Sequence, residues 1–434
     1  MVKLANTLSR LKPSKVLVIG DVLLDSYTFG KVRRLSPEAP VAIVNVQRED
    51  HRPGGAGNVA LNLISLEAEV VTIGRVGNDV AGELLCQALE REGVAHAIYK
   101  QADYKTPVKN RVIAENQQIV RIDHEQPTLL NEQLEQTIIT DLPRLLQDVK
   151  IVAISDYGKG FLTPTLLQAV IKQAKKQKIR VITDPKGHDF TKYLGTTIIK
   201  PNLSEAYAAA NLPVGSPLSL VAQRILEATH AEMLMVTRSE AGISLFDAQG
   251  NQYDFPVQAK EVKDVTGAGD TVLAMFAHAL ANELTYGEAV ELCNVAAGLA
   301  IEHVGCARIS LEDLAKRLVE RNYGHKIFDH EQLFVLHKIL KDKPFTMLIL
   351  ESNQPFTPEL YQFIKKLTNE QEPLVVSIKG LDPQQLLIDM LTSLKEVNFI
   401  LTHSPSYEHS IEPSKTYFFA QEQLSEEEQP SYRS

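Results

Sequence analysis

Cysteine is scarce. Cys86, Cys293 and Cys306 are the only three, and no pair forms a Cys-x-x-Cys. That argues against a disulfide framework or a thiolate zinc site and fits a reducing compartment. Basic blocks are missing as well. Lys and Arg number 45 against 54 Asp and Glu, a net charge of −9. Nucleic acid and anionic membranes are therefore not expected as partners. No apolar run approaches the roughly 18 residues of a membrane span. Residues 1–12 hold no apolar core of signal-peptide length, so a cytoplasmic location is expected. No G-x-x-x-x-G-K-[ST] occurs, which excludes a P-loop, and the motif set of protein kinases is absent. Glycine nearly vanishes late in the chain: of 23, only Gly380 lies beyond residue 325. Residues 326–434 carry net −6 and residues 1–325 net −3. This shift in composition places a domain boundary near 324–330, with an acidic disordered tail at 425–434.

What the chain does have is regular alternation. Short apolar strands at 15–19, 70–73, 149–155, 180–183, 197–199 and 233–236 are separated by helical patterns. Repeated βα units of this kind predict a mainly parallel sheet covered by helices on both faces. Two stretches depart from the alternation. A strand at 41–46 is framed by Pro37 and Pro40, which suits an edge or flap, and residues 108–122 read as paired strands. Helices are expected at 267–281, 286–302 and 311–321.

The stretch Asp264-Val265-Thr266-Gly267-Ala268-Gly269-Asp270-Thr271 opens a long apolar helix. Its glycines leave backbone N–H groups uncovered at a helix N-terminus, which favours anions. One reading makes Asp270 a helix cap. The other makes it a base that takes a proton from a hydroxyl being phosphorylated. On the second reading the helix dipole should hold its pKa low. Gly55-Ala56-Gly57-Asn58-Val59-Ala60 matches a dinucleotide fingerprint, but Arg52-Pro53-Gly54 does not read as a strand ending, which the fingerprint requires. It also reads as a glycine turn or as a polyol cradle, with Asn58 and the acids Asp21 and Asp25 meeting hydroxyls. Asn202 and Glu205 have capping-box spacing and equally suit nucleotide phosphates and a magnesium shell. Lys159 and Lys186 follow strands, where ligands of open α/β sheets bind.

Together these motifs resemble the ribokinase-like (PfkB) carbohydrate kinases. The residues carrying the resemblance are Gly54-Gly55-Ala56-Gly57-Asn58, Asn202-x-x-Glu205 and Gly267-Ala268-Gly269-Asp270. Arg34-Leu35-Ser36-Pro37-Glu38-Ala39-Pro40, Asn116-Gln117-Gln118, Asp156-Tyr157-Gly158-Lys159-Gly160 and Asp184-Pro185-Lys186-Gly187 are similar to the family's heptose 7-phosphate kinases. The resemblance runs over residues 14–321. It implies an α/β fold, a parallel sheet sandwiched by helices with a small β lid, and a smaller α/β domain at 326–424. It also implies ATP-dependent phosphorylation of D-glycero-β-D-manno-heptose 7-phosphate at C1. The alternatives are another sugar kinase of the family or a non-catalytic sugar- or nucleotide-binding regulator.

The resemblance assigns roles as well. Asp270 becomes the base, and Gly267, Ala268 and Gly269 the anion hole. Asp21, Asp25, Gly54, Gly55 and Asn58 meet the sugar, and Lys109, Arg111, Lys159 and Lys186 its phosphate. Asn202, Glu205, Thr237, Ser239, Gly242 and Asn294 meet ATP, with Glu205 reaching Mg²⁺ through water. A potassium ion would sit near Asp264-Val265 and Gly305-Cys306-Ala307, although Cys306 departs from the family's usual residue. Glu115 departs too, being acidic beside an anionic substrate. The lid implies a homodimer. In the smaller domain, Thr357 and Leu360 stand where a nucleotidyltransferase would carry histidines. That domain therefore reads as a decayed nucleotidyltransferase or as an unrelated α/β appendage.

Overall fold

The computed structural model describes residues 2–426 except 116, 258–261, 304, 322–325, 330, 331, 369–371, 381–383, 403–412 and 420–423. It forms two compact units. The larger spans Leu11–Ser310; the smaller combines Met1–Arg10 with Leu311–Ser434.

The larger unit contains β1 (Lys15–Gly20), β2 (Val22–Leu35), β3 (Ala42–Gly55), β4 (Glu69–Gly77), β5 (Ala95–Gln101), β6 (Val108–Ala114) and β7 (Gln117–His124). It continues with β8 (Ile151–Ser155), β9 (Arg180–Asp184), β10 (Ile198–Ile199), β11 (Met233–Thr237), β12 (Ile243–Asp247) and β13 (Gln252–Phe255). Nine of these make one sheet, in the order β13-β12-β11-β10-β9-β8-β1-β4-β5. From β11 to β5 the pairing is parallel; β12 and β13 are antiparallel additions at one edge. Its central strands are almost wholly apolar because helices cover both faces. Leu17, Ile19, Val152 and Ile154 belong to a core shared with Val170, Ile171 and Val221 of covering helices. The chain order reverses at β1, whose neighbours are β4 and β8. Such a reversal leaves a crevice beyond the carboxyl ends of the strands. Asp21, Asp156, Asp184 and Lys200 all stand at those ends.

The other four strands form the lid sheet, β3-β2-β6-β7. It is larger than the sequence suggested. The strand expected at 41–46 runs over Ala42–Gly55, and β2 is a lid strand that the sequence pattern does not reveal. Its run Lys31-Val32-Arg33-Arg34 masks the strand pattern with charge. This corrects the reading of Gly55 to Ala60. That glycine run does leave a strand directly, and the helix Ala56–Ser65 follows at once. The strand is an antiparallel lid strand, however, and not the opening strand of a parallel βαβ unit.

In the smaller unit the strand order is Ile327–Phe328, Phe399–Thr402, Leu374–Lys379, Thr346–Glu351, Lys415–Phe419, Leu424–Glu426. All but the last are parallel to their neighbours. Leu348, Leu360, Ile364, Val376 and Ile400 build its core. Two boundaries differ from expectation. The helix Leu311–Arg321, assigned by sequence to the first domain, belongs to this smaller unit. Residues 425 and 426, the first of the expected acidic tail, belong to the strand Leu424–Glu426; residues 427–434 lie outside the described residues.

Candidate active site

The helix Ala268–Ala281 begins the site. Its N-cap is Gly267 at φ 80°, a left-handed conformation that favours glycine. A Cβ there would also press on Asn58 Nδ2 and Cys306 Sγ, each at 3.1 Å. Every residue of the helix from Asp270 to Leu280 is buried, so the apolar sequence that follows the nest anchors it in the core.

Asp270 is 3% exposed and held at both oxygens. Asn58 Nδ2 donates to Oδ2 at 2.7 Å and the Tyr157 hydroxyl donates to Oδ1 at 2.7 Å. Burial drives its pKa up to about 7, outweighing the two donors that pull it down. The sequence expected a depressed value. A helix terminus contributes up to about 2 kcal/mol in favourable geometry, roughly 1.5 pKa units. Full burial moves a carboxyl by as much as 3–5 units, so desolvation wins.

Asp21 accepts backbone N–H groups from Tyr157 at 3.0 Å, Lys159 at 3.1 Å and Phe161 at 3.3 Å. It therefore fastens the loop after β8, although sequence assigned it to sugar contact. Asp25 forms a buried ion pair with Arg111 across β2 and β6. Gly54 exists for that pair: a Cβ would run into Asp25 Oδ2 and Leu23 Cδ1. Cys306 Sγ lies 3.9 Å from Asp25 Oδ2, and burial pushes its pKa up to about 12.

With Arg111 taken up by Asp25, the remaining basic candidates divide into two groups. Lys159 Nζ meets Glu125 Oε2 at 2.7 Å, and Lys109 Nζ lies 3.6 Å from the same oxygen and 3.3 Å from Asp123. The Lys159 contact holds the Glu125 pKa below the usual range. Lys186 stands apart from this pair. Its Nζ is 2.8 Å from Glu205 Oε1, beside the residues expected to meet ATP and not with the sugar-phosphate lysines.

Asn202 and Glu205 form a complete capping box for the helix Leu203–Ala209. Lys186 occupies one Glu205 oxygen and the Asn202 N–H the other. Nearby, Lys200 is 2% exposed and its Nζ is 2.9 Å from Asp184 Oδ2. A Cβ on Gly269 would lie 3.9 Å from that Nζ, which sets a buried cation against the glycine nest. Burial raises the Asp184 pKa and Lys200 opposes the rise. Thr237 bridges Asn202 at the end of β11. Ser239 begins the turn to Gly242, where a Cβ would strike the Phe255 carbonyl. Asn294 donates to that same carbonyl at 2.9 Å. The four cofactor candidates from Thr237 to Asn294 thus collect around the strand ends of β11 to β13.

Asp264 links the loops expected around potassium. Its Oδ2 accepts from Gly305 N–H at 2.8 Å, and its Oδ1 accepts from Thr266 N–H and Oγ1. Burial raises its pKa, but these bonds leave it lowered overall. Asn116 lies outside the described residues. Among the described residues no cluster of three His, Cys, Asp or Glu could hold a metal by itself.

Sequence reasoning did not single out Tyr157, Lys200 or Asp184; Tyr157 and Asp184 stood in noted motifs, and Lys200 stands two residues before the Asn202 box. Their position after a parallel strand was the available signal.

A buried carboxylate in a glycine nest, with a buried lysine close to that nest, stands beyond the strand ends of an α/β sheet. The pfkB family carbohydrate kinase model matches residues 13–314. The chain belongs to the pfkB family of ATP-dependent carbohydrate kinases. Among relatives, the bifunctional protein HldE of Trichlorobacter lovleyi is 44% identical over 329 residues, 75% of this chain and 67% of that one. HldE of Geobacter metallireducens is 45% identical over 297 residues, 68% of this chain and 61% of that one. HldE of Campylobacter jejuni is 42% identical over 333 residues, 76% and 70% respectively. The chain therefore spans about two thirds of these relatives' length. Arabidopsis thaliana ribokinase with ribose and ATP superposes with a TM-score of 0.55 at 20% identity, over 71% of this chain and 99% of that one. Escherichia coli phosphofructokinase-2 with potassium gives 0.60 at 23%, over 72% and 100%. Those two likenesses establish the shared fold. Among the described residues no helix is long and apolar enough to cross a membrane.

Proposed function

We propose that this chain transfers the γ-phosphoryl group of ATP to the C1 hydroxyl of D-glycero-β-D-manno-heptose 7-phosphate. Asp270 accepts the hydroxyl proton, the oxygen attacks phosphorus, and the bond to ADP breaks. The glycine nest and Lys200 stabilise the charge that shifts onto the leaving oxygens. Magnesium, when bound with the nucleotide, neutralises phosphate charge, and Glu205 is the residue to hold it through water. Asp264 and the Gly305 loop are the place for a potassium ion. An undiminished rate after replacing potassium by tetramethylammonium would remove that ion from the scheme.

One observation carries the choice of a phosphorylated acceptor. The loop that brings Tyr157 to Asp270 also brings Lys159, two residues on, to Lys109 through Glu125. One short loop thus carries both a contact to the proposed base and one member of the lysine pair, the other standing in β6. A sugar with C1 at Asp270 and a distal phosphate at the lysines satisfies both, with Glu125 yielding to the phosphate. Similarity to HldE proteins over 297–333 residues favours the heptose among such sugars. An ADP-coupled assay with heptose 7-phosphate, fructose 6-phosphate and ribose decides it. The heptose should lead in kcat/KM by about a hundredfold, since unfilled polar contacts are heavily penalised. Equal use of ribose overturns the assignment.

For the smaller unit we infer a nucleotidyltransferase-like fold that has lost its chemistry. Thr357 caps the helix Pro358–Leu367 and Leu360 is fully buried in the core. Neither can take the phosphate-binding role of a histidine. Formation of ADP-heptose from heptose 1-phosphate and ATP by the purified chain would refute this.

A further inference from the structure

Asp270 meets two neutral donors from different elements. Asn58 comes from the helix after β3 and Tyr157 from the loop after β8, and each takes one carboxylate oxygen at 2.7 Å. Each oxygen keeps a second lone pair for the acceptor hydroxyl. The Tyr157 backbone is fixed independently, by its N–H on Asp21. Its phenol therefore reaches the base from an anchored position 113 residues away in sequence.

We propose that Tyr157 is a positioning residue for the base, clamping Asp270 jointly with Asn58 so that one carboxylate lone pair faces the acceptor hydroxyl. This rests on the reading of Asp270 as the base. Because the phenol donates, it also favours the ionised carboxylate that must accept the proton. The charged and titratable groups bearing on the pair are Asp184 at the end of β9, Lys200 after β10 and Cys306 in the facing loop. Asp184 disfavours the carboxylate and Lys200 favours it. None of the three replaces the phenol's hydrogen bond.

The test is the pH profile of kcat/KM, with ATP and whichever sugar phosphate the acceptor screen returns. In Tyr157→Phe the acid limb should move up by about one pH unit, a hydrogen bond to a charged group being of that size. Activity should recover in part at high pH. A purely structural role lowers the rate evenly at all pH values, and an unshifted limb overturns the proposal. If that variant does not fold, 3-fluorotyrosine at position 157 keeps the shape and makes a stronger donor. The limb should then move down, and an unmoved limb overturns the proposal equally. Asp270→Asn separates the two ideas. Retained turnover there removes the base itself, whereas a dead Asp270→Asn with an unshifted Tyr157→Phe removes only the tyrosine.

Discussion

At the scale of single residues, Asp270 is held in a state that is unfavourable for folding and, as the proposed base, suited to accepting a proton. Its pKa rises from 3.8 to about 7 because burial removes water from the charged form. Between those values the folded chain binds more protons than the unfolded one. This group's contribution is therefore most favourable below about pH 4 and is lost as pH climbs to about 7. Replacing the acid with a neutral amide should relieve that penalty. Asp270→Asn should abolish turnover while leaving ATP binding largely intact. It should also raise Tm at pH 8 by a few degrees, the size expected for about 1–3 kcal/mol. The gain should shrink towards pH 4. Calorimetry at both pH values, with a single-turnover assay, checks the pair of outcomes. Turnover above roughly a hundredth of wild type would count against a base.

At the scale of elements, glycine placement tells close approach from spare room. Gly54 lies in β3 where a methyl group would enter Asp25 Oδ2 and Leu23 Cδ1. Asp25 is bound to Arg111, so the damage would reach three lid strands. Gly54→Ala should destabilise the larger unit by about 1–3 kcal/mol, as overpacking does. Gly298 sits in the helix Tyr286–Ala300 with open space where a Cβ would stand. Gly298→Ala should instead stabilise by about 0.5–1 kcal/mol through helix propensity. Urea denaturation of both variants reads the opposite signs.

The same contrast explains what the sequence could reveal. The parallel strands were legible because continuous apolar runs mean burial on both faces. The Asn202–Glu205 box was legible because capping is local and its spacing is fixed. β2 was hidden because Lys31, Arg33 and Arg34 interrupt its apolar residues, and β5 because a half-buried edge strand such as Ala95–Gln101 has little pattern. Gly267 to Asp270 stood out as a glycine nest holding an acid, but the nest alone suited a helix cap as well as a base. The clamp by Tyr157 and the cation at Lys200 could not, since both depend on contacts that only the tertiary fold creates. Burial itself set the Asp270 pKa, and burial of a polar residue is not written in its neighbours.

At the scale of the whole molecule, the lid has two unlike faces. Opposed residues in register share a face. Asp25 pairs with Arg52 and Lys109, Tyr27 with Asp50 and Arg111, and Arg111 with Arg121. That face is charged and aromatic, and it carries Asp25, Lys109 and Arg111, which we propose for the acceptor. On the other face Gly30 opposes Val46, Val32 opposes Val44, Val112 opposes Val120 and Asn110 opposes Ile122. Val46 is 57% exposed, Val120 46% and Ile122 42%. Exposed apolar residues on that face, which also holds the pairs Ser26–His51 and Thr28–Glu49, suit a surface for another protein. A second copy of this chain is the occupant we propose, lid against lid, because an isologous contact needs only this one self-complementary patch. The double variant Val46→Lys with Ile122→Lys introduces like charges on both edge strands of that face. Sedimentation at micromolar concentration should show the wild type as a dimer and the variant as a monomer. Because the same sheet carries Arg111 and Lys109 on its opposite face, the variant should also raise KM for the sugar phosphate more than KM for ATP. A wild type that sediments as a monomer at all concentrations overturns the lid interface. A dimeric variant would place the contact elsewhere.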